Sequence, residues 1–86
     1  MLKIYGSMLC PDCVQCCEDL TRANVQFEFK DFADNLMNLK EFLAIRDQSK
    51  LFDNARQNGK IGIPCIVDEQ GSVTLSWEKY VSQGEA

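Results

Sequence analysis

Cys10-Pro11-Asp12-Cys13 places two thiols three residues apart, directly after a short alternating run and at the start of a helical pattern. Cysteines at that spacing on a first helical turn can bring their sulfurs together, so the pair can open and close a disulfide. Cys10 falls at the N-cap and Pro11 at the first helical position, where a missing N–H costs nothing. A sulfur at the N-cap lies among backbone N–H groups without intrahelical partners and at the positive end of the helix dipole. Both favour a thiolate, the form that attacks a disulfide. Asp12 works weakly against this by adding a negative charge nearby. Cys13 lies further into the turn and is suited to resolve a mixed disulfide; the alternative is a buried, inert pair.

Three further cysteines follow: Cys16 and Cys17 on the same helical stretch, and Cys65 after Ile63-Pro64. Cys10-x2-Cys13-x2-Cys16 with a distant fourth thiol has a spacing found among iron–sulfur ligands. Thiolates on successive helical turns diverge around the axis, so no metal ligand set is assigned. Cys16 and Cys17 read instead as small hydrophobes packed on a sheet. Cys65 is either an auxiliary redox thiol or a core side chain.

The rest of the composition narrows the chemistry. The chain has no histidine, which excludes Ser-His and Cys-His nucleophiles, imidazole bases and His-ligated metals. Nine Lys and Arg against 13 Asp and Glu give a net charge of −4, which argues against nucleic-acid binding. An odd cysteine count crowded into one segment does not suit a framework of structural bridges in a secreted domain. No apolar run suits a membrane span, and a basic segment followed by an apolar one is lacking at the N-terminus. A cytoplasmic protein is expected, monomeric and without nucleic-acid or membrane partners. The cations Arg46, Lys50, Arg56 and Lys60 read as a solvated face, with recognition of an anionic thiol as the alternative.

The elements that must position the thiols follow from periodicity. Leu2-Lys3-Ile4-Tyr5 alternates as a strand and Gly6-Ser7 breaks it. A helix runs from Pro11 to about Arg22, with Val14, Cys17 and Leu20 as its apolar face and Cys13 and Cys16 beside them; Asn24 stops it. Val25 to Phe29 alternates strictly, with Val25, Phe27 and Phe29 on one face. Asp34 or Asn35 caps a helix lined by Leu36, Leu39, Phe42 and Leu43. Ser49 caps a short helix or turn carrying Leu51, Phe52 and Ala55, ended by Gly59. Ile61 to Val67 is an apolar strand, Asp68 to Gly71 a turn, and Ser72 to Leu75 a last strand. Ser76 caps a final helix with Trp77, Tyr80 and Val81, where Trp77 is a core residue. Residues 1–86 thus form one α/β domain, β-α-β-α-β-β-α. Its four-stranded mixed sheet has a parallel first unit, an antiparallel last pair and helices on both faces. Proline in an apolar strand conflicts with a central position. Because cis X–Pro bonds are a small minority, the residues alone predict a trans Ile63–Pro64 bond.

Cys-Pro-Asp-Cys after a first strand, Ile63-Pro64 some fifty residues later, and this element order together resemble the glutaredoxins, a group of thioredoxin-fold oxidoreductases. The segments Leu39-Lys40-Glu41-Phe42-Leu43 and Gly59 to Cys65 look most like bacterial glutaredoxin-related proteins. The resemblance covers nearly the whole chain. It implies a thioredoxin-like fold and a thiol–disulfide oxidoreductase in which Cys10 is the nucleophile and Cys13 the resolving thiol. It also implies a cis Pro64 facing them, and an Ile63 backbone that pairs with an extended substrate. Substrates would be disulfide-containing proteins or glutathionylated molecules, with a thiol reductant system as partner and no bound cofactor. The chain departs from the family at Ser7, where a lysine often pairs with glutathione, at Gly62 in place of threonine, and at Thr74-Leu75-Ser76 in place of a Gly-Gly pair. Glutathione is therefore expected to be a weakly held reductant. The competing expectation is a non-catalytic redox sensor or an iron–sulfur or metal-binding module built on the cysteine cluster.

Overall fold

The computed structural model describes residues 1–85, with side chains through residue 82; residue 86 of the expected domain lies outside the described residues. Strands β1 (Leu2–Gly6), β2 (Phe27–Asp31), β3 (Cys65–Val67) and β4 (Val73–Thr74) form one mixed sheet in the order β2-β1-β3-β4. β1 runs parallel to β2, from Leu2 opposite Phe27 to Gly6 opposite Asp31, and antiparallel to β3, from Lys3 opposite Val67 to Tyr5 opposite Cys65. β3 and β4 are antiparallel, joined through a turn in which Asp68 accepts from the N–H groups of Gln70 and Ser72 and Gly71 takes a positive φ.

Alternation along β1 and β3 divides the interior in two. Leu2, Ile4 and Ile66 face one side, where Cys16 and Leu20 of α1 (Pro11–Arg22) and Tyr80 of α4 (Glu78–Glu85) cover them. Val25, Phe27 and Phe29 pack against the same cluster, as their alternation predicts. Tyr5 and Cys65 face the other side, against Phe42 of α2 (Leu36–Gln48) and Phe52 of a 3₁₀ turn (Lys50–Phe52) that leads into α3 (Asp53–Gln57). Phe42 meets Phe52 edge to face at 5.9 Å and lies tilted against Phe32 at 5.2 Å. Each fully buried phenylalanine contributes about 1.5–3 kcal/mol over its exposed state. Helices thus cover both faces, and Leu51 to Ala55 fall in a 3₁₀ turn plus a short helix.

Four expectations shift. The buried stripe of α1 is Cys13, Cys16 and Leu20, while Val14 and Cys17 are only half-buried. In α2, Leu36 and Leu43 are exposed and Asn38 is buried instead, because its side chain donates to the Asp31 carbonyl at 2.9 Å and ties the helix to the end of β2. Only Cys65–Val67 of the Ile61–Val67 run pairs as strand, since Gly62 takes a positive φ and Pro64, after a cis bond, has no N–H for the ladder; of the last run only Val73–Thr74 pairs. The Ser76 hydroxyl donates to the Glu78 carboxylate, and the Trp77 carbonyl accepts from the N–H groups of Tyr80 and Val81 in the first turn of α4.

Candidate active site

β1 delivers the chain to the cysteine pair through a loop organised by Ser7. Its hydroxyl accepts from the Leu9 N–H at 3.1 Å and its carbonyl from the Cys10 N–H at 3.0 Å. This local bonding turns the backbone so that Cys10 becomes the N-cap of α1 with extended dihedrals (φ −95°, ψ 119°), followed by Pro11. Cys10 gives its carbonyl to the Val14 N–H at 3.1 Å, but its sulfur caps nothing and remains partly exposed. Cys13, one turn on, is fully buried.

The burial of Cys13 explains Gly6. A Cβ on Gly6 would lie 2.5 Å from the Cys13 sulfur, so β1 ends on the one residue type that leaves the thiol room. Desolvation pushes the Cys13 thiol up to about 12; a backbone hydrogen bond from Ser7 opposes this, and the hydrogen bond and charge of Cys10 reinforce it. The two sulfurs are therefore neighbours in different surroundings, one at the surface and one held protonated beneath it. All five cysteines are free thiols.

An open cleft of about 890 Å³ lies beside Cys10. Ser7, Leu9 and Cys10 form one side. Leu51, Asn54 and Ala55 from the 3₁₀ turn and α3, the loop Gly59–Ile63, and Leu75 after β4 complete it. The Ile63–Pro64 bond is cis, against the trans bond expected from the residues alone and as the resemblance implies. Ile63 and Cys10 share the cleft; Pro64 is buried and is not among its lining residues.

The Gly59–Ile63 loop is held on three sides. Lys60 donates its N–H to the Ala55 carbonyl at 2.8 Å, and its own carbonyl accepts from the Arg46 guanidinium at 2.9 Å. Gly62 has φ +93° and lies against the Phe52 ring, where a Cβ would come within 2.8 Å of ring carbon. Arg56 in turn donates to the Arg46 carbonyl at 2.7 Å and pairs with Asp53. Arg46 and Arg56, read from sequence as part of a solvated face, also tie helix, short helix and loop together through carbonyl oxygens at that surface.

A Haemophilus influenzae protein described as uncharacterized is 37% identical to this chain over 76 residues, covering 88% of each. The chain belongs to that protein's family. No family model and no solved structure matches it.

In this family member Cys16 and Cys17 follow the pair on α1, near enough for charge on Cys17 to act on Cys13, while Cys65 lies on the other face of the sheet. Cys16 is buried against Leu20, Ile4 and Ile66, and burial pushes its thiol up to about 12. Cys65 is fully buried on the opposite face of the sheet among Tyr5, Phe42 and Phe52, and burial alone pushes it to about 12 as well. Cys17 is half-buried and raised by burial. Among the described residues, no three of His, Cys, Asp and Glu are grouped to hold a metal ion, and no helix is long and apolar enough to cross a membrane. Trp77 packs against the first cluster, as expected, and donates its indole N–H to Asp19 at 2.9 Å, joining α4 to α1.

Sequence reasoning missed the walls of the cleft. Leu9, Leu51 and Ile61 are 91%, 43% and 55% exposed. Of these, Leu9 carried a usable signal: an apolar residue between a Gly-Ser break and a helix cap, where no element could bury it.

Proposed function

We propose that this chain is a thioredoxin-fold, glutaredoxin-like dithiol–disulfide oxidoreductase of the cytosol that reduces protein disulfides or mixed disulfides. What supports this reading is the placement of Cys10, partly exposed at the N-cap of α1 and facing an open cleft, directly over a buried, protonated Cys13. A helix N-terminus supplies N–H groups and dipole to an attacking sulfur.

The Cys10 thiolate attacks one sulfur of the substrate disulfide. A Cys10–substrate disulfide forms, and the other substrate sulfur leaves and takes up a proton. Cys13 then loses its proton and attacks the Cys10 sulfur, which closes the Cys10–Cys13 disulfide and expels the second substrate thiol. Two electrons pass from the dithiol to the substrate, and an external thiol reductant, glutathione or a thioredoxin-reductase system, returns them. The order of events follows from the two environments. While Cys10 is free, its charge and hydrogen bond help to keep Cys13 protonated. Once Cys10 is tied in a mixed disulfide that repulsion is gone, so Cys13 ionises more readily at the step that needs it. The backbone of Ile63, which lines the cleft with Cys10, is the site proposed to pair with substrate.

Single-cysteine variants test this reading. Cys10→Ser abolishes disulfide reduction, and Cys13→Ser traps a mixed disulfide whose mass equals protein plus one substrate thiol. Turnover retained by Cys10→Ser overturns the assignment.

A further inference from the structure

We propose that the cleft beside Cys10 selects disulfides flanked by apolar side chains in an extended polypeptide, and discriminates against glutathione. This rests on the oxidoreductase reading above and names its substrate class.

Three observations carry it. First, the cleft's walls are aliphatic and open to solvent: Leu9 on the Cys10 side, Leu51 and Ile61 facing it, with Leu75 also lining the space. Single exposed leucines are ordinary on a protein surface, but several converging on one cleft mark a binding surface. Second, the charge balance is wrong for a small anion. Among the described residues, Lys60 is the one charged side chain lining the cleft, on a chain of net charge −4. Glutathione carries two carboxylates, and tight recognition of such a ligand needs several charge-assisted hydrogen bonds. Ser7 lines the cleft without a charge, and Leu75 adds an apolar side chain to its wall. Third, the loop offers main chain. Among the described residues, the N–H and C=O groups of Ile61, Gly62 and Ile63 find no partner within the protein, while Gly62 and Arg46 hold the loop in place. Such groups fit an extended peptide, whose backbone supplies hydrogen bonds while its side chains occupy the apolar walls.

Burying one aliphatic side chain of the substrate raises the apparent second-order rate by about ten- to hundredfold. The test uses two peptides of equal length and neutral charge, each carrying one cysteine as a mixed disulfide with 2-mercaptoethanol. One has leucine and valine beside the cysteine, the other serine and glycine; oxidised glutathione is the third substrate. Stopped-flow rates are measured with the reduced full chain. The apolar peptide is expected to react at least tenfold faster than either of the others. Leu9→Ser and Ile61→Ser are expected to shrink that ratio towards one, while Leu36→Ser, an exposed leucine on α2 outside the cleft, leaves it unchanged. Equal rates on both peptides, or fastest reaction with oxidised glutathione, overturn the selectivity and leave the oxidoreductase reading intact. No exchange with any of the three overturns the reading itself.

Discussion

Gly6→Ala is the smallest perturbation that reaches the buried half of the dithiol. An added Cβ would sit 2.5 Å from the Cys13 sulfur, against 3.5 Å from the Cys13 Cβ and 3.6 Å from the Phe29 ring. Only the sulfur is in the way, and it must retreat by about 1 Å to restore ordinary contact. Cys13 is fully buried and fixed by the Ser7 hydrogen bond, so the strain has no cheap outlet. Overpacking of this kind costs about 1–3 kcal/mol, partly offset by about 0.4–1 kcal/mol from a less flexible unfolded chain. A net loss of about 1–2 kcal/mol lowers Tm by roughly 5–15 °C in a domain of this size. Cys13→Ala removes the obstructing atom, so Gly6→Ala in that background is neutral or slightly stabilising. Urea unfolding of the wild type, both single variants and the double variant, in a non-thiol reductant, gives a coupling energy of about 1–3 kcal/mol. Additivity within about 0.5 kcal/mol would show that the close approach is not what demands glycine at this position.

Three further outcomes are expected. Limited alkylation with iodoacetamide, mapped by mass spectrometry, labels Cys10 first and Cys17 next, while Cys13, Cys16 and Cys65 stay protected until unfolding; labelling of a buried thiol ahead of Cys10 contradicts the site. Stability falls as pH rises from about 9 towards 12, because Cys13, Cys16, Cys65 and Tyr5 are all pushed up to about 12 in the folded state, chiefly by burial. The unfolded chain releases those protons first, so urea midpoints decline through that window and hold below it. Asp19, held below the usual carboxylate range by its Trp77 and Gln15 hydrogen bonds, contributes stability above its unfolded pKa that is lost as pH falls through its folded one. In Asp19→Asn the difference in urea midpoint between pH 7 and pH 3, followed by emission of the single tryptophan, is smaller than in the wild type.

What was legible in the sequence was local chemistry. Cys10 as cap, Pro11 behind it, Asn35 accepting from the Met37 N–H and Asn24 at positive φ after α1 are each decided within a few residues. The four strands and their pairing sense also follow from alternation and loop length. Choices made across the fold were harder to read. The stripes Cys13-Cys16-Leu20 and Val14-Cys17-Leu20 share a leucine and differ by about one residue's rotation, and cysteine beside valine gives hydropathy little to separate them. Asn38 looks like a surface residue until the Asp31 carbonyl is placed above it. Leu51 and Ile61 carry the polarity of a core and yet stand exposed in the cleft beside Cys10, so apolar character alone misplaces them.

The central position of β1 has a consequence for synthesis. It precedes every other element, yet it is covered on both faces and its antiparallel partner ends at Val67. At about 5–20 residues per second, roughly 3–10 s separate the translation of Cys13 from that of Val67. The sheet cannot close in that interval, so Cys13 and Cys16, fully sheltered in the folded protein, leave the ribosome as open thiols. A nascent chain that meets oxidant then can pair Cys13 with cysteines other than Cys10, and completion of β3, whose Ile66 packs with Cys16, takes Cys16 out of that competition.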